Sequence, residues 1–522
     1  MYIISVDIGT STIRSCLYDS DCRLIGKCEQ QVHVKISGQE GEVRVELEPE
    51  QIFQQFKEVV NGTLSLIDED APVTMALCCQ RNSIICWNKR SLQDVTKFIC
   101  WNDGRAKNAC EMWNKSLLLR SLNFVGSVLY FLTRQPRYLG ARTLHFISAL
   151  VMHRLMTTIE QSKELQELLR NDELAFGCLD SWLLLRLSKG CVDVMESSCA
   201  SSTGMYDPFI NKFNHTVLRI IGFPLKLLPP LIDSVGELDP ATGKRAALAE
   251  INPTIFGRKI SISVILADQQ AAHFGAGCWE KGDIKISLGT GTFVSVNTKD
   301  KAHASMQGLY PVVGWRINQK STFLAEGMQH YTASLLTWAK NIGLLDDVKE
   351  SSSMALSVHS TNGLVFIPAF GGLQTPINDG NICAGFLGLR PDTTKQQMVR
   401  AILESIAFRV YQVIMAIEDE VHFKLTHKIR ICGGVSANNF ICQSISDLLG
   451  RPVERLQDEG FVASRGVAML AGMAQGLWTE DQLPNLIEIS TTFYPNSESQ
   501  FALKNTYKIW LKAVKGCSNF YS

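Results

Sequence analysis

Short apolar runs separated by turn residues alternate with longer stretches of helical periodicity along this chain. Hairpins followed by β–α alternation indicate α/β domains. In the first half the runs predict strands at Tyr2–Val6, Ile13–Tyr18, Arg23–His33, Glu42–Glu46, Val73–Cys79, Ile84–Asn88 and Val95–Trp101. Helices are predicted at Glu48–Ile67, Arg105–Asn114, Lys163–Leu169 and Ser181–Ser188.

The second half begins with strands again and then alternates strands with helices. The longest predicted helix is Thr393–His422, where Thr394 and Gln397 form a capping box. Phe461–Gly476 predicts a helix of small residues that can pack closely. The other predicted elements are the strands Ile260–Leu266, Leu364–Pro368 and Lys428–Cys432 and the helix Asn438–Leu449.

One pattern occurs once in each half: an apolar strand, a Gly-Thr turn and a second strand. The first copy is Asp7-Ile8-Gly9-Thr10-Ser11-Thr12, and the second is Ser287-Leu288-Gly289-Thr290-Gly291-Thr292. Glycine permits close backbone approach, and threonine hydroxyls with turn N–H groups can cradle phosphate oxygens. The pair predicts a duplicated fold that grips a nucleotide from both sides. Asp7 suits a metal, whereas its counterpart is Ser287, so we expect different tasks for the two halves.

Length and composition bound the possible functions. A chain of 522 residues exceeds one core, so we expect two domains, 1–275 and 276–522, with the boundary near Gly275. Lys plus Arg and Asp plus Glu balance at 51 each, without a basic stripe, so nucleic acid is not an expected partner. The 16 cysteines show no C-x-x-C spacing, which predicts reduced thiols and a cytoplasmic location.

The most hydrophobic segment is Ser121–Thr133, which Arg120 and Arg134 bound. It is too short to predict a membrane span, and the N-terminus shows no signal-peptide pattern. We therefore expect a buried or dimer-facing helix rather than a membrane anchor, which leaves a homo-oligomer open.

Asp268-Gln269-Gln270 follows the predicted strand Ile260–Leu266. An acid at the carboxyl end of a strand, at a domain junction, lies where the clefts of α/β proteins open, so Asp268 is a candidate catalytic base. The alternative is that Asp268 only caps the following helix.

These motifs, taken in order, resemble the FGGY family of carbohydrate kinases, within it the glycerol kinase branch. The resemblance spans roughly residues 2 to 515, and several motifs in order are far more specific than any one. The matching segments are Asp7–Arg14, Ala267–Gly275, Gly289–Phe293, Ala384–Leu389 followed by Gln397-Met398 and Ala401–Glu404, and Gly433–Asn438.

The resemblance implies two actin-like (ribonuclease H-like) domains, with ATP, Mg²⁺ and a small polyol in the cleft between them. It implies Asp268 as the base that accepts the proton of the attacking hydroxyl, and Asp7 as the Mg²⁺ ligand. The implied substrate contacts are Arg81, Asn82, Trp101, Phe146, Asp268, Gln269 and Phe293. The implied ATP contacts are Thr10, Ser11, Thr12, Arg14, Gly289, Thr290, Ala333, Thr337, Gly434 and Asn438.

The implied pocket departs from the glycerol kinase pattern. A Gln-Arg-Glu triplet becomes Gln80-Arg81-Asn82, a tyrosine aligns with Phe146, and a Gly and a Gln near the nucleotide become Ala333 and Thr337. A kinase of another polyol or a pentulose, a weakly active protein acting through binding partners, and an actin-like ATPase therefore stay open.

Several implied site residues have simpler interpretations. Arg81 could be a surface ion-pair partner, and Arg14 could be solvated. Phe293 could be a core residue, and Asn438 could cap the next helix.

Overall fold

The computed structural model describes residues 1–38, 43–426, 428–458, 460–518 and 520–521. The strands of the first half are β1 Tyr2–Ile8, β2 Thr12–Tyr18, β3 Leu24–Gln31, β4 Lys35–Ser37, β5 Arg44–Leu47, β6 Val73–Cys79, β7 Ile84–Asn88, β8 Phe98–Ile99, β9 Leu174–Cys178, β10 Met195–Glu196, β11 Tyr206–Asp207, β12 Lys212–Phe213, β13 Leu231–Ile232, β14 Ala249–Glu250 and β15 Ser261–Ala267. The α-helices are α1 Pro49–Leu64, α2 Lys107–Lys115, α3 Leu117–Thr133, α4 Pro136–Arg142, α5 Val151–Gln161, α6 Lys163–Arg170, α7 Leu179–Leu187, α8 Ser197–Ser201, α9 His215–Ile220 and α10 Asp268–Gly275.

The second half repeats this mixture of strands and helices. Its strands are β16 Ile284–Leu288, β17 Thr292–Lys299, β18 Tyr310–Ile317, β19 Lys320–Gln329, β20 Val365–Ile367, β21 Gly385–Leu387, β22 Ile429–Cys432, β23 Val453–Leu456 and β24 Ile489–Phe493. Its α-helices are α11 Ala333–Asn341, α12 Ser351–Leu356, α13 Lys395–Glu420, α14 Asn439–Leu449, α15 Val462–Ala474 and α16 Ser497–Gly516. Short 3₁₀ helices lie at Leu225–Leu227, Val348–Glu350, Gly434–Ala437 and Glu480–Leu486.

Two large sheets carry the repeated hairpin at corresponding places. The first has the order β14-β15-β6-β1-β2-β3, and the second β18-β19-β17-β16-β22-β23-β24. In each sheet the first hairpin strand pairs antiparallel with the second, β1 with β2 and β16 with β17. On its other side it pairs in parallel, β1 with β6 and β16 with β22. The duplication predicted from the two Gly-Thr patterns is therefore present in the sheet architecture.

The two halves meet through the small-residue helix α15, which packs against α10 and against β1, β6 and β15 of the first sheet. A Cβ on Gly466 would lie 2.0 Å from the Ala271 carbonyl oxygen, and one on Gly275 would lie 2.1 Å from the Val462 carbonyl oxygen. The close packing predicted for this helix thus depends on glycines. Helix α15 follows Gly275 in the chain but packs against the first sheet, so a single cut near Gly275 does not separate the two cores. The domain boundary near Gly275 therefore stays a prediction.

The secondary-structure predictions mostly agree with the observed elements. The capping box of α13 is present, with the Thr394 side chain accepting from the Gln397 N–H. The predicted strand Val95–Trp101 is wrong in extent, because only Phe98–Ile99 is a strand and the Thr96 hydroxyl accepts the Cys86 N–H in place of a backbone carbonyl. The predicted strand Glu42–Glu46 begins at a residue outside the described part of the chain.

The helix predicted at Ser121–Thr133 is observed as α3, which begins earlier because Ser116 caps it. The expectation of burial within the chain is wrong, because Leu119 and Gly126 are its buried residues and Phe124 and Phe131 are each 69% exposed. The dimer-facing alternative stays a prediction. Within the described residues no single helix is long and apolar enough to cross a membrane. Among the helices of the described ranges, one pair, α2 and α3, bent by 59°, meets that criterion together by length and composition alone.

Candidate active site

Asp268 stands where the buried strand β15 ends and α10 begins. Ala267, not Asp268, occupies the helix N-cap, although the Asp268 carboxylate accepts the Gln269 N–H at 2.8 Å. The Ala267 N–H donates to the Ser198 hydroxyl at 2.9 Å, and Ser198 donates in turn to the buried Glu196. The strand end before Asp268 is thus held by the hydrogen bonds through Ser198 to Glu196. These bonds do not involve the Asp268 carboxylate.

Arg81 lies beside this carboxylate and between two acids. Its guanidinium is 3.8 Å from Asp268 Oδ1 and donates to Glu326 Oε1 at 2.7 Å. The ring of Phe293 lies below it, with the guanidinium carbon 5.6 Å from the ring centroid. The Arg81 side chain is 12% exposed and lies between Asp268 and Glu326. Arg81 is therefore a largely buried cation between two acids rather than a surface ion-pair partner.

The electrostatics of Asp268 suit a proton acceptor. Burial raises the pKa of Asp268 to about 6, while the charge of Arg81 lowers it and the charge of Asp7 raises it. A general base works best when its pKa lies close to the operating pH. The carboxylate is therefore ionised at neutral pH and basic enough to take a proton from a hydroxyl.

The first hairpin is tied to the loop that carries Arg81. The Thr10 hydroxyl donates to Gln80 Oε1 at 2.9 Å and accepts from the Trp101 indole N–H at 3.0 Å. The turn is closed by a hydrogen bond from the Gly9 N–H to the Thr12 carbonyl at 3.0 Å. Ser11 at the tip is exposed. Thr10 therefore connects the first hairpin both to the loop that carries Arg81 and to Trp101.

Asp7 is half-buried at the end of β1. Burial raises the pKa of Asp7, and its carboxylate accepts from the Cys78 thiol at 3.0 Å. The described residues contain no group of three His, Cys, Asp or Glu side chains placed to hold a metal. A single carboxylate beside hydroxyls nevertheless fits Mg²⁺, which keeps several waters and takes one or two carboxylates.

Arg14 lies directly opposite Asp7 on β2, and its charge lowers the pKa of Asp7 against the larger effect of burial. It donates to Glu29 at 2.8 Å and to the Gly460 carbonyl at 2.8 Å, and its guanidinium lies 4.6 Å from the centroid of the Phe461 ring. Arg14 is thus not simply solvated, and its contact with a phosphate stays a prediction.

The second hairpin presents its turn at the surface. Thr290 is exposed, and its carbonyl accepts the Thr332 N–H at 3.0 Å. The Gly289 carbonyl accepts the Ala333 N–H at 3.1 Å, and Thr337 one turn further along α11 is exposed. The structure therefore brings Gly289, Thr290 and the start of α11 together, as the resemblance implies for an ATP site.

The loop after β22 passes close to the second hairpin. Gly433 has φ +91°, and a Cβ there would lie 2.5 Å from the Leu288 carbonyl, so this position requires glycine. Gly434 is exposed with open space beside it. Asn438 caps α14 by accepting the Ile441 N–H at 3.1 Å and donates to Ser351 at 3.0 Å. The capping interpretation of Asn438 is confirmed.

The sequence did not predict two further residues of the candidate site, Lys285 and Glu326. Lys285 is 0% exposed and donates to Gln269 Oε1 at 2.9 Å, which orients that amide. Burial lowers the pKa of Lys285. The signal was present in the strand pattern, because Ile284, Ile286 and Leu288 fill one face of β16 and a lysine falls on the other.

The two altered pocket positions differ in their placement. Asn82 has φ +62°, and its buried side-chain oxygen has no hydrogen-bond partner among the described residues. Phe146 is 2% exposed and packs edge-on against His153, with ring centroids 4.5 Å apart. Within the described chain no hydrogen bond or ring contact joins Phe146 to Arg81 or Asp268, so the structure does not bring Phe146 into this group.

Two sheets with matching hairpins, and a carboxylate between them, define the class of two-domain actin-like ATPase folds. Models of the FGGY family of carbohydrate kinases match the chain twice, with the N-terminal domain over residues 2–275 and the C-terminal domain over residues 284–475. The chain belongs to this family.

Relatives and solved structures of this family cover the chain almost completely. Glycerol kinase 5 of Danio rerio is 36% identical and covers 100% of this chain and 97% of its own length. Glycerol kinase of Carboxydothermus hydrogenoformans is 30% identical, with 98% and 97% covered. A crystal structure of Plasmodium falciparum glycerol kinase with ADP has a TM-score of 0.84 at 21% identity, covering 99% and 98%. A xylulose kinase from Lactobacillus acidophilus has a TM-score of 0.80 at 17% identity, covering 100% of both chains.

Proposed function

We propose that this chain is an ATP-dependent kinase of a small polyol, most simply glycerol, acting in the cytoplasm. The observation that carries the proposal is the placement of the Asp268 carboxylate at a strand end, 3.8 Å from the Arg81 guanidinium. The loop that carries Arg81 is in turn hydrogen-bonded, through Gln80, to Thr10 of the first hairpin. Family membership supports a carbohydrate or polyol acceptor. The glycerol kinase names of the relatives support glycerol in particular.

The reaction forms a bond between the acceptor oxygen and the γ-phosphorus, while the bond from that phosphorus to the β,γ-bridging oxygen breaks and ADP leaves. Asp268 accepts the hydroxyl proton, a contribution on the order of 10²–10⁴-fold. Arg81 and Gln269, the latter oriented by Lys285, orient the acceptor hydroxyls. Alignment supplies much of the remainder in phosphoryl transfer.

The two hairpins hold the nucleotide in this proposal. Thr10, Ser11 and Thr12 offer hydroxyls on one side, and Gly289 with Thr290 offer a turn on the other. Gly434 borders the adenine, since it is exposed next to the second hairpin. Asp7 would hold Mg²⁺ through water, and the ion would supply charge neutralisation at the phosphates.

An ADP-release assay tests the proposal. Purified protein with ATP and Mg²⁺ is offered glycerol, dihydroxyacetone, pentuloses or tetritols, and a sample without acceptor gives the background. We expect one acceptor to stimulate ADP release, and Asp268→Asn to lower kcat by about 10²-fold or more while ATP still binds. Asp392→Asn, an exposed acid, is the matched control.

The other outcomes each point to a rival. Turnover of another polyol or a pentulose but not glycerol refutes the glycerol assignment and leaves the kinase. ADP release that no acceptor stimulates indicates an ATPase. Tight ATP binding without turnover on any acceptor indicates a protein that acts through binding partners, for which the Asn82 replacement is the motivating feature.

A further inference from the structure

Helix α3 carries a continuous stripe of exposed apolar side chains on its outer face. Leu117 is 79% exposed, and Phe124, Phe131 and Leu132 are each 69% exposed. Leu117, Phe124 and Phe131 are seven residues apart, about two helical turns, and Leu132 adjoins them, so these side chains lie on one side of the helix. We call this stripe the α3 apolar face: Leu117, Leu118, Phe124, Val125, Val128, Phe131 and Leu132.

The opposite side of α3 is fixed to the protein body. A Cβ on Gly126 would lie 2.7 Å from the Arg142 backbone nitrogen, so α3 and α4 are in backbone contact there. Asn123 donates to the Leu144 carbonyl at 3.3 Å. The apolar face therefore points away from the protein body, on a helix that is fixed at its other side. Exposed apolar patches of this kind mark interaction sites.

The surroundings of the α3 apolar face are strongly basic in an otherwise neutral chain. From Lys107 to Arg142 the sequence has six basic residues and one acid, Glu111. Arg137 pairs with Asp207 at 2.9 Å. Arg134 lies over the Tyr130 and Phe131 rings, with its guanidinium carbon 5.8 and 5.5 Å from their centroids. Within the described chain no ion pair engages the exposed residues Lys107, Lys115, Arg120 and Arg142.

We propose that the α3 apolar face lies flat in the headgroup region of a membrane that contains anionic lipids. Leucine and phenylalanine on one face with lysine and arginine beside them are the composition of helices that bind in the interface plane. Such binding needs no helix that crosses the bilayer. A second copy of the chain is a poorer occupant, because a two-fold interface sets a patch against itself and would bring like charges together.

Vesicle co-sedimentation of the full chain tests the proposal. The probes are vesicles of phosphatidylcholine alone and of phosphatidylcholine with about 30% phosphatidylserine, near the anionic content of cytoplasmic leaflets. We expect binding to the anionic vesicles only, weakened when salt shortens the range of the electrostatic attraction. Light scattering without vesicles reports the oligomeric state in parallel.

Two variants and two controls separate the contributions. Phe131→Asp with Leu132→Asp removes apolar contact, and its control is Phe501→Asp on α16, where Phe501 is 73% exposed. A triple change of Arg120, Arg134 and Arg142 to Gln should weaken binding about 10²-fold, since each basic residue near the surface contributes several-fold. Its charge-matched control changes three exposed lysines of α16 to Gln: Lys508, Lys512 and Lys515.

The proposal predicts that both α3 variants lose vesicle binding while both controls keep it, with thermal unfolding unchanged because the altered side chains are exposed. Absence of binding to anionic vesicles by the wild type overturns it, and so does binding that survives Phe131→Asp with Leu132→Asp. If the wild type is a dimer that does not bind vesicles, and Phe131→Asp with Leu132→Asp makes it monomeric, a second copy of the chain covers the face instead.

Discussion

Glu326→Gln is the most informative perturbation of the proposed site, because Glu326 shares the Arg81 guanidinium with Asp268. In the wild type Arg81 donates to Glu326 at 2.7 Å and stands 3.8 Å from Asp268. The charge of Glu326 raises the pKa of Asp268, and the charge of Arg81 lowers it. Removing the Glu326 charge removes its upward effect on the pKa of Asp268. It also frees Arg81 to interact more strongly with Asp268, which increases the downward effect of Arg81 on that pKa. Both changes lower the pKa of Asp268.

The expected readout is the acid limb of kcat/KM for the acceptor, which reports the pKa of the site before the acceptor binds. Only the ionised carboxylate accepts a proton, so activity is present above the pKa and is lost as pH falls through it. With the pKa of Asp268 at about 6, wild-type kcat/KM at about pH 5 should be about a tenth of its plateau. The variant should keep several-fold more of its own plateau at that pH, because its midpoint lies lower.

The assay compares kcat/KM for the acceptor from about pH 5 to about pH 8 at saturating ATP, with each plateau as internal reference. Glu418→Gln is the control. Glu418 pairs with Arg451 at 2.6 Å, and this ion pair lies outside the proposed site. An acid limb that stays in place in Glu326→Gln, or moves to higher pH, would refute the assignment of that limb to Asp268.

Three further predictions follow from other contacts. Thr290→Val should weaken ATP affinity about fivefold, the loss of roughly one hydrogen bond of 1 kcal/mol, and an unchanged calorimetric titration would remove Thr290 from the phosphate site. Asn82→Glu should lower KM for glycerol about tenfold, because the buried Asn82 oxygen has no partner among the described residues and a carboxylate accepts more strongly; a higher KM would contradict this. Glu196→Gln should flatten the pH dependence of stability in urea unfolding. Burial raises the pKa of Glu196 to about 7, so the folded state binds the proton more tightly, and the contribution of Glu196 to wild-type stability should fall by about 3 kcal/mol between about pH 4.5 and pH 7. A variant whose stability changes with pH over this range as steeply as that of the wild type would exclude the idea.

Local patterns sufficed for much of the fold. The strands of both hairpins, the strand that ends before Asp268 and the capping box of α13 each depend on residues a few positions apart. Apolar alternation and side-chain-to-backbone capping are short-range, so they can be predicted along a single segment. The extent of β8 could not be predicted, because the Thr96 hydroxyl competes with the backbone for the Cys86 N–H.

The candidate site divides in the same way. Asp268, Arg81 and both Gly-Thr turns stand out by position or by resemblance, whereas the partner of Arg81 is Glu326, 245 residues further along the chain. Lys285 meets Gln269 across the junction between β16 and α10. Arg14 follows the first hairpin as the family pattern requires, yet its side chain engages Glu29 and Gly460 on neighbouring segments.

The sequence by itself determined the family, the duplicated hairpins and the acid at the end of a buried strand, since motif order and apolar period are properties of the linear chain. Only the tertiary structure decided that the cleft acid shares a buried arginine with a second acid, and that Phe146 lies in a core cluster. It also decided that the most hydrophobic helix is exposed. Burial and ion pairing depend on which distant segments the fold brings together, and no local periodicity records that.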